Sequence, residues 1–439
     1  MVEVQGSSSM LSRRSVLKAA GAAAGAAALA GCSGRRGGSS GSGSSTLQMT
    51  FWGEGDQNTK LLAAISLFEK QNSKVTVQSQ YSGLNGYYDK LATRLAGGNA
   101  PDIFQIHLPY LMEYSRRGVV RQLDDHAADL GLGNIPSYVA TTSKLDGHYY
   151  YALVGAATQP AVVYDKARLD TYHLSVPPAS WTFDDFHTTM QQVASASGGK
   201  LFGSSDLGGS PILLESFMRG LNKPLFGDDG KLAFTQDDFT KWLGVWDGLR
   251  KDKSCVPMAL TAANKGFDTD PLTLGKCAYT VTATSRGLSA MQSLNKEPLD
   301  LLPAPSPSAN SKPGTNIIPA GWFAISAKSR NVDAAVALLK FLANDVDAGK
   351  TMGMARGVPI QANMRDAIQS SLQGTDKIVF NNYQQIVATD VAPLQAYPPG
   401  ASNLLGTSLV NANQSVGYGK ATVDQATTAF FADAQKLLK

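Results

Sequence analysis

Hydrophobic and polar positions change their period repeatedly along this chain, and the changes mark its elements. Leu47, Met49 and Phe51 alternate with Gln48 and Thr50, which predicts a strand over 47–52 that ends at Gly53-Glu54-Gly55. Leu61, Leu62, Ile65 and Phe68 then recur at helical spacing. Val75-Thr76-Val77 returns to a two-residue period, and Tyr87, Leu91 and Leu95 mark a second helix closed by Gly97-Gly98. Pro101 to Ile106 is a third strand. A strand-helix-strand-helix-strand order needs crossover connections, so it predicts a largely parallel sheet covered by helices.

Further on, 110–117 reads as a short helix, and 149–154 and 161–164 read as strands. Trp181-Thr182-Phe183-Asp184-Asp185-Phe186 is a helix entry, with Thr182 as cap and two acids at the positive end of the first turn. The middle is mainly helical, including 236–251, where Phe239, Leu243, Trp246 and Leu249 repeat. Strands follow at 277–281 and 322–325, separated by a Pro/Ser-rich passage at 303–313, and 332–342 is a further helix. The strand-helix pattern of the front returns after that passage, which predicts an α/β fold of two discontinuous lobes joined by a hinge with a cleft between them. The expected division is 47–157 plus 306–356 for one lobe and 158–305 plus 357–439 for the other.

The N-terminal segment has a different composition. Arg13, Arg14 and Lys18 precede AAGAAAGAAALA at 19–30, which is too short for a membrane span and fits an export signal over 1–31. The paired arginines resemble a twin-arginine signal, and the general secretion route stays open. Leu29-Ala30-Gly31-Cys32 resembles the lipobox of bacterial lipoproteins, in which Cys32 becomes a lipidated N-terminus; the alternative is an unused thiol. Residues 32–46 form a Gly/Ser-rich tether. These features place the body outside the cytoplasm, anchored to the outer face of the cell membrane.

The net charge is +4 over 439 residues, with no long cationic run beyond the leader, so the electrostatic footprint of nucleic-acid binding is missing. Cys255 and Cys277 are the two remaining cysteines, and an oxidising compartment favours their pairing over two separate thiols. The five histidines have no metal-ligand spacing, no nucleotide or nucleophile motif occurs beyond the Gly/Ser tether, and neither metal, cofactor nor catalysis is expected.

Several short blocks resemble one family: Trp52-Gly53, Gly86-Tyr87-Tyr88-Asp89-Lys90-Leu91, Ala96 to Ile103, Tyr114 to Gly118, Tyr164-Asp165-Lys166, and Gly321-Trp322 before a strand. In this order they are similar to the extracellular sugar-binding proteins of bacterial ABC importers, the maltose-binding-like solute-binding family 1, over nearly all of 47–439. The resemblance implies a periplasmic-binding-protein-like fold, a carbohydrate held between the lobes without chemistry, and membrane permease subunits as partners of a monomer.

A sugar offers hydroxyls around apolar C–H faces, so it asks for aromatic platforms and a few polar groups at strand ends. The candidates are Trp52, Glu54 and Asp56 after the first strand, Tyr87 at a helix start, and His107 and Tyr110 after the third strand. Many family members carry an acid where His107 stands. Gln159 lies at the first crossing, Ser285 and Arg286 follow the strand at 277–281, and Arg356 precedes the last crossing. Trp322, after Ala320-Gly321, is the leading candidate for a platform, against the alternative of a core tryptophan. Two other functions stay open: the same fold serving a charged, non-sugar solute, and a secreted glycan-acting enzyme using Glu54, Asp56 or Glu215.

Overall fold

The computed structural model describes residues 44–438 apart from 54, 85, 107, 138, 140–143, 313 and 390–396. The export signal, Cys32, Glu54 and His107 therefore lie outside the described residues. Its strands are β1 (Ser45–Trp52), β2 (Val75–Ser82), β3 (Ile103–Ile106), β4 (Lys144–Leu145), β5 (His148–Tyr149), β6 (Ala152–Gln159), β7 (Ala161–Asp165), β8 (Phe202–Ser204), β9 (Cys277–Thr282), β10 (Leu299–Pro303), β11 (Asn316–Ile325) and β12 (Val358–Pro359).

Six strands form one sheet in the order β12–β6–β11–β3–β1–β2. Leu47, Met49 and Phe51 are fully or almost fully buried, as their alternation requires. The helix Gly55–Gln71 carries the chain from β1 to a parallel β2 and buries Leu61, Ala64, Ile65 and Phe68. The expected parallel sheet holds for β1, β2 and β3, but β11 runs antiparallel to β3 and β6, and β12 antiparallel to β6. β11 is reversed because it returns to this sheet from the second one.

The second sheet has the order β10–β7–β9–β8. β7 is antiparallel to both β9 and β10, and β8 is parallel to β9. One face of this sheet carries an aromatic core with Trp181, Phe186, Phe239, Trp242 and Trp246, all almost fully buried. The helix Phe183–Ala196 starts where expected: the Asp185 amide donates to Thr182 Oγ1 at 3.1 Å and the Thr182 amide to Asp185 Oδ2 at 2.9 Å.

Three segments pass between the sheets. β6 leaves the first sheet at Gln159, and β7 begins the second at Ala161. β11 comes back, with Asn316 opposite Gln159. The third passage differs from the expected boundary at 356/357: Val358 and Pro359 pair with Ala156 and Gly155, and helix Ala362–Gln369 packs on helix Val346–Met352 of the first lobe. Helix Gly374–Val387 then touches β10 as well as β6 and β11.

The expected disulfide is absent; Cys255 and Cys277 are free buried thiols. The cause is β8, which runs between them: Phe202 pairs with Cys277 on one side and Ser204 bridges Cys255 on the other. Two strand spacings are about 10 Å, beyond the roughly 7 Å between Cα atoms that a disulfide tolerates.

Candidate functional site

Strand direction fixes where the two sheets can present side chains to each other. β1, β3 and β6 all end at the side from which the chain leaves for the second sheet, and β8, β9 and β10 end on the side facing the first. Loops at the carboxyl ends of both sheets therefore border one crevice, the usual place for a ligand in α/β sheets.

On the first sheet the register brings two expected residues into one row. Trp322 pairs with Ile106 and with Leu153, while Thr50 pairs with Phe104, so that Trp52 comes level with Ile106. Trp52 and Trp322 thus share a face of the sheet with β3 between them. Their exposure differs. Trp322 is 3% exposed, its ring 5.9 Å from that of Tyr151, and its indole N–H finds no acceptor among the described residues. Trp52 is half-buried, whereas Trp181, Trp242 and Trp246 are all but fully enclosed. Of the five tryptophans, Trp52 is therefore the one that is not enclosed.

An aromatic patch continues from Trp52. Its ring meets Tyr87 edge-on at 5.2 Å and lies 6.0 Å from Tyr88, and Tyr88 stacks on Tyr110 at 3.6 Å with 12° between the planes. Tyr87 itself is core. Its hydroxyl donates to the carbonyls of Gln105, at 2.8 Å, and Thr50, at 3.2 Å, and burial pushes its pKa well up. Tyr88 and Tyr110, each partly exposed, are the rings that continue the patch from Trp52.

Asp56 and Arg286 meet at a small crevice of about 140 Å³ that Gln57, Lys60, Ser289 and Asp376 also line. Asp56 pairs with Lys60 at 2.8 Å, and Arg286 Nη2 donates to the Ala355 carbonyl at 2.9 Å. Burial raises the Asp376 carboxyl above the ordinary range, opposed by Lys60 and Arg286 and assisted by Asp56. Burial also lowers the Arg286 guanidinium, with Asp376 opposing.

Gln159 and Ser285 belong to the hinge. Gln159 is partly buried at the end of β6, and Ser285 is fully buried against Thr158. Arg356, 2% exposed, is hydrogen-bonded to Trp52, Gln105 and Asn58 of the first lobe.

Sequence reasoning missed the wall offered by the second sheet. After β8, Asp206, Leu207, Gly209 and Ser210 border a recess of about 260 Å³ with Thr261, Asn264, Lys265 and Asn413. Buried Asp206 accepts from Arg250 Nη1 at 2.8 Å, Asn413 Nδ2 at 3.1 Å and the Gly208 amide at 3.1 Å, which holds the loop rigid. The Thr261 hydroxyl is buried without a partner among the described residues. The signal for this loop was weak, since β8 is only three residues long. Gln105 was visible only as a polar residue inside the apolar run 103–106.

Among the described residues no group of three His, Cys, Asp or Glu could hold a metal, and no helix is long and apolar enough to cross a membrane. The rings beside Trp52 and the hydroxyls and amides around Asp206 are side chains suited to holding a polar solute.

Comparison with known proteins agrees with this architecture. An extracellular solute-binding protein of family 1 from Alicyclobacillus acidocaldarius superposes with a TM-score of 0.73 at 27% identity, covering 90% of this chain and 98% of that one. A periplasmic oligogalacturonide-binding protein from Yersinia enterocolitica, in complex with saturated digalacturonic acid, shares the fold at a TM-score of 0.75 and 18% identity, covering 90% and 100%. A solute-binding protein from Thermotoga lettingae bound to α-D-tagatose does so at 0.70 and 19%, again over 90% and 100%. A curated relative from Brucella abortus (strain 2308) is 26% identical over 136 residues, which span 31% of this chain and 32% of that protein. The family model for bacterial extracellular solute-binding proteins matches residues 51–348, about two thirds of the sequence, and the chain belongs to that family.

Proposed function

We propose that this protein captures a mono- or oligosaccharide outside the cytoplasm and delivers it to the permease of an ABC importer. The observation that carries the proposal is Trp52, the one tryptophan that is not enclosed, standing at the carboxyl end of β1 and continued by the Tyr88–Tyr110 stack. Flat rings at a strand end suit the C–H face of a pyranose, and the amides and hydroxyls of the opposite wall suit its vicinal hydroxyls. Trp322, whose indole N–H has no partner among the described residues, contributes a buried donor rather than an open platform. Asp56, Gln159 and Arg286 border the solute, while Tyr87, Ser285 and Arg356 hold the frame. Glu54 and His107 adjoin the same rim in sequence. The saccharides seen in the Yersinia and Thermotoga proteins support this class of ligand.

Binding draws the lobes together about the three crossing segments, and the closed form docks on the permease as a monomer. Lipid on Cys32 and the Gly/Ser tether keep the protein beside its transporter after export.

A thermal-shift screen of the Cys32→Ser protein against mono-, di- and oligosaccharides tests the proposal, because a ligand that binds only the folded state raises its apparent stability. A sugar should raise the midpoint, and Trp52→Ala should remove most of the shift. The four charges of the Asp56–Arg286 crevice make carboxylates, peptides and phosphate esters the second arm. A response in that arm alone, with no saccharide active, would reject the sugar assignment.

A further inference from the structure

Arg356 is a buried, multiply hydrogen-bonded side chain of the first lobe, and among the described residues none of its hydrogen-bond partners is a carboxylate. Nη1 donates to the Trp52 carbonyl at 2.7 Å and to Gln105 Oε1 at 3.3 Å, and Nη2 donates to Asn58 Oδ1 at 3.1 Å. The guanidinium also lies over the Phe51 ring, 5.2 Å from its centre. Its partners complete the mesh: the Trp52 amide donates to Gln105 Oε1 at 3.3 Å, and Asn58 Nδ2 donates to the Gly53 carbonyl at 2.7 Å. Gly53 has a positive φ of 155°, and a Cβ there would strike Asn58 Oδ1 and press on Arg356 Nη1. The nitrogen without an acceptor among the described residues, Nε, is on the stem side of the fork and is also buried.

The backbone of Arg356 is held as firmly as its side chain. It passes over the paired glycines of the two hinge strands: a Cβ on Gly155 would run into the Arg356 carbonyl, and one on Gly321 would meet Arg356 Cβ at 3.2 Å. Gly357, with φ 98°, fits against Ala156 and Ala320 for the same reason. The third crossing segment therefore sits in a slot on the hinge, and its one long side chain reaches from there to the backbone of Trp52.

We infer that Arg356 is a positioning residue: it fixes the Trp52 platform from the hinge and does not itself touch the solute. A planar fork can hold the Trp52, Gln105 and Asn58 acceptors at once, whereas a lysine ammonium is a single flexible point. The inference refines the proposed function, in which Trp52 carries the solute, but its test needs no solute.

Acrylamide quenching of tryptophan emission in the ligand-free, full mature chain reads Trp52 selectively, because the other four tryptophans are at most 3% exposed. Trp52→Phe should remove the quenchable component. Arg356→Met should raise the quenching constant about twofold as the rim loosens, with Arg356→Lys between it and wild type. In the Trp52→Phe background the Arg356 substitutions should change nothing, which separates positioning from general loosening. Far-UV circular dichroism confirms that each variant is folded, and Arg356→Lys alone decides the test if Arg356→Met does not fold. Unchanged quenching in the folded variants, or a change that persists without Trp52, would overturn the inference. A thermal-shift screen with no active sugar would overturn the solute assignment and leave this result standing.

Discussion

Thr158 and Ser285 clasp each other where the chain first passes between the sheets. The Ser285 amide donates to the Thr158 carbonyl at 2.9 Å, and the Thr158 amide donates to Ser285 Oγ at 3.3 Å. Both residues are fully buried, and Thr158 Oγ1 donates in turn to Asn382 Oδ1 of helix Gly374–Val387. Three elements that meet at the hinge are thus tied by one polar cluster, which makes the hinge a defined joint rather than a loose linker.

Removing the side-chain half of that clasp should cost stability. Ser285→Ala leaves a buried amide without its hydroxyl acceptor, a loss of about 1–2 kcal/mol. Urea unfolding of the mature chain should show a lower midpoint with an unchanged slope. A midpoint equal to wild type would mean that the hydroxyl contributes nothing to the joint.

The free thiols give a second test. In the Cys32→Ser protein neither Cys255 nor Cys277 should react with a thiol reagent while folded, since burial disfavours both thiolates. After denaturation without reductant two thiols should titrate per chain, and reductant should not move the melting temperature. Recovery of no thiols would restore the disulfide.

Acid should release a specific contact in the second lobe. Burial pulls Asp238 upward, but the bonds from Lys223 Nζ at 2.6 Å and from Thr235 outweigh it and hold the carboxyl below its ordinary value. The unfolded chain, with a pKa of about 3.9, therefore binds more protons than the folded one just below that pH. The stabilisation is present above about pH 4 and disappears as pH falls through the folded value. Melting temperatures of Asp238→Asn should fall less steeply with acid than those of wild type between about pH 5 and 2. Parallel curves would exclude the contribution.

The sequence was most legible where one element has one period. The alternation of Leu47, Met49 and Phe51, the Thr182 cap and helix 236–251 all stand as read. β11 was seen only from residue 322, because Pro319 and Gly321 interrupt its pattern; both fall where the register against β6 shifts. Residue neighbours also could not separate Tyr87 from Tyr88, or Trp52 from Trp322. Tyr87 turns inward to carbonyls of β1 and β3, and Trp322 lies against Tyr151 and is paired with Leu153, contacts that exist only once distant strands have paired. The cysteines failed for the same reason, since nothing local shows that β8 runs between them.

The slot for the third crossing segment yields the sharpest contrast. Gly155 and Gly321 are partners in the β6–β11 pair, yet an added methyl would meet different obstacles at each. At Gly155 it would run into the carbonyl group of Arg356, so the crossing segment itself must move. At Gly321 the one severe contact would be with the Val154 Cγ2 methyl at 2.5 Å, a side-chain atom that can shift, while Arg356 Cβ and the Arg356 carbonyl oxygen both stand off at 3.2 Å. Gly155→Ala should therefore destabilise by about 3 kcal/mol and Gly321→Ala by about 1 kcal/mol, measured as urea midpoints. Because the displaced segment carries Arg356, Gly155→Ala should also loosen Trp52 and raise its acrylamide quenching, whereas Gly321→Ala should leave it near wild type. Equal stability losses at the two glycines, or a Gly155→Ala protein with an undisturbed Trp52, would show that the crossing segment is not seated on this strand pair.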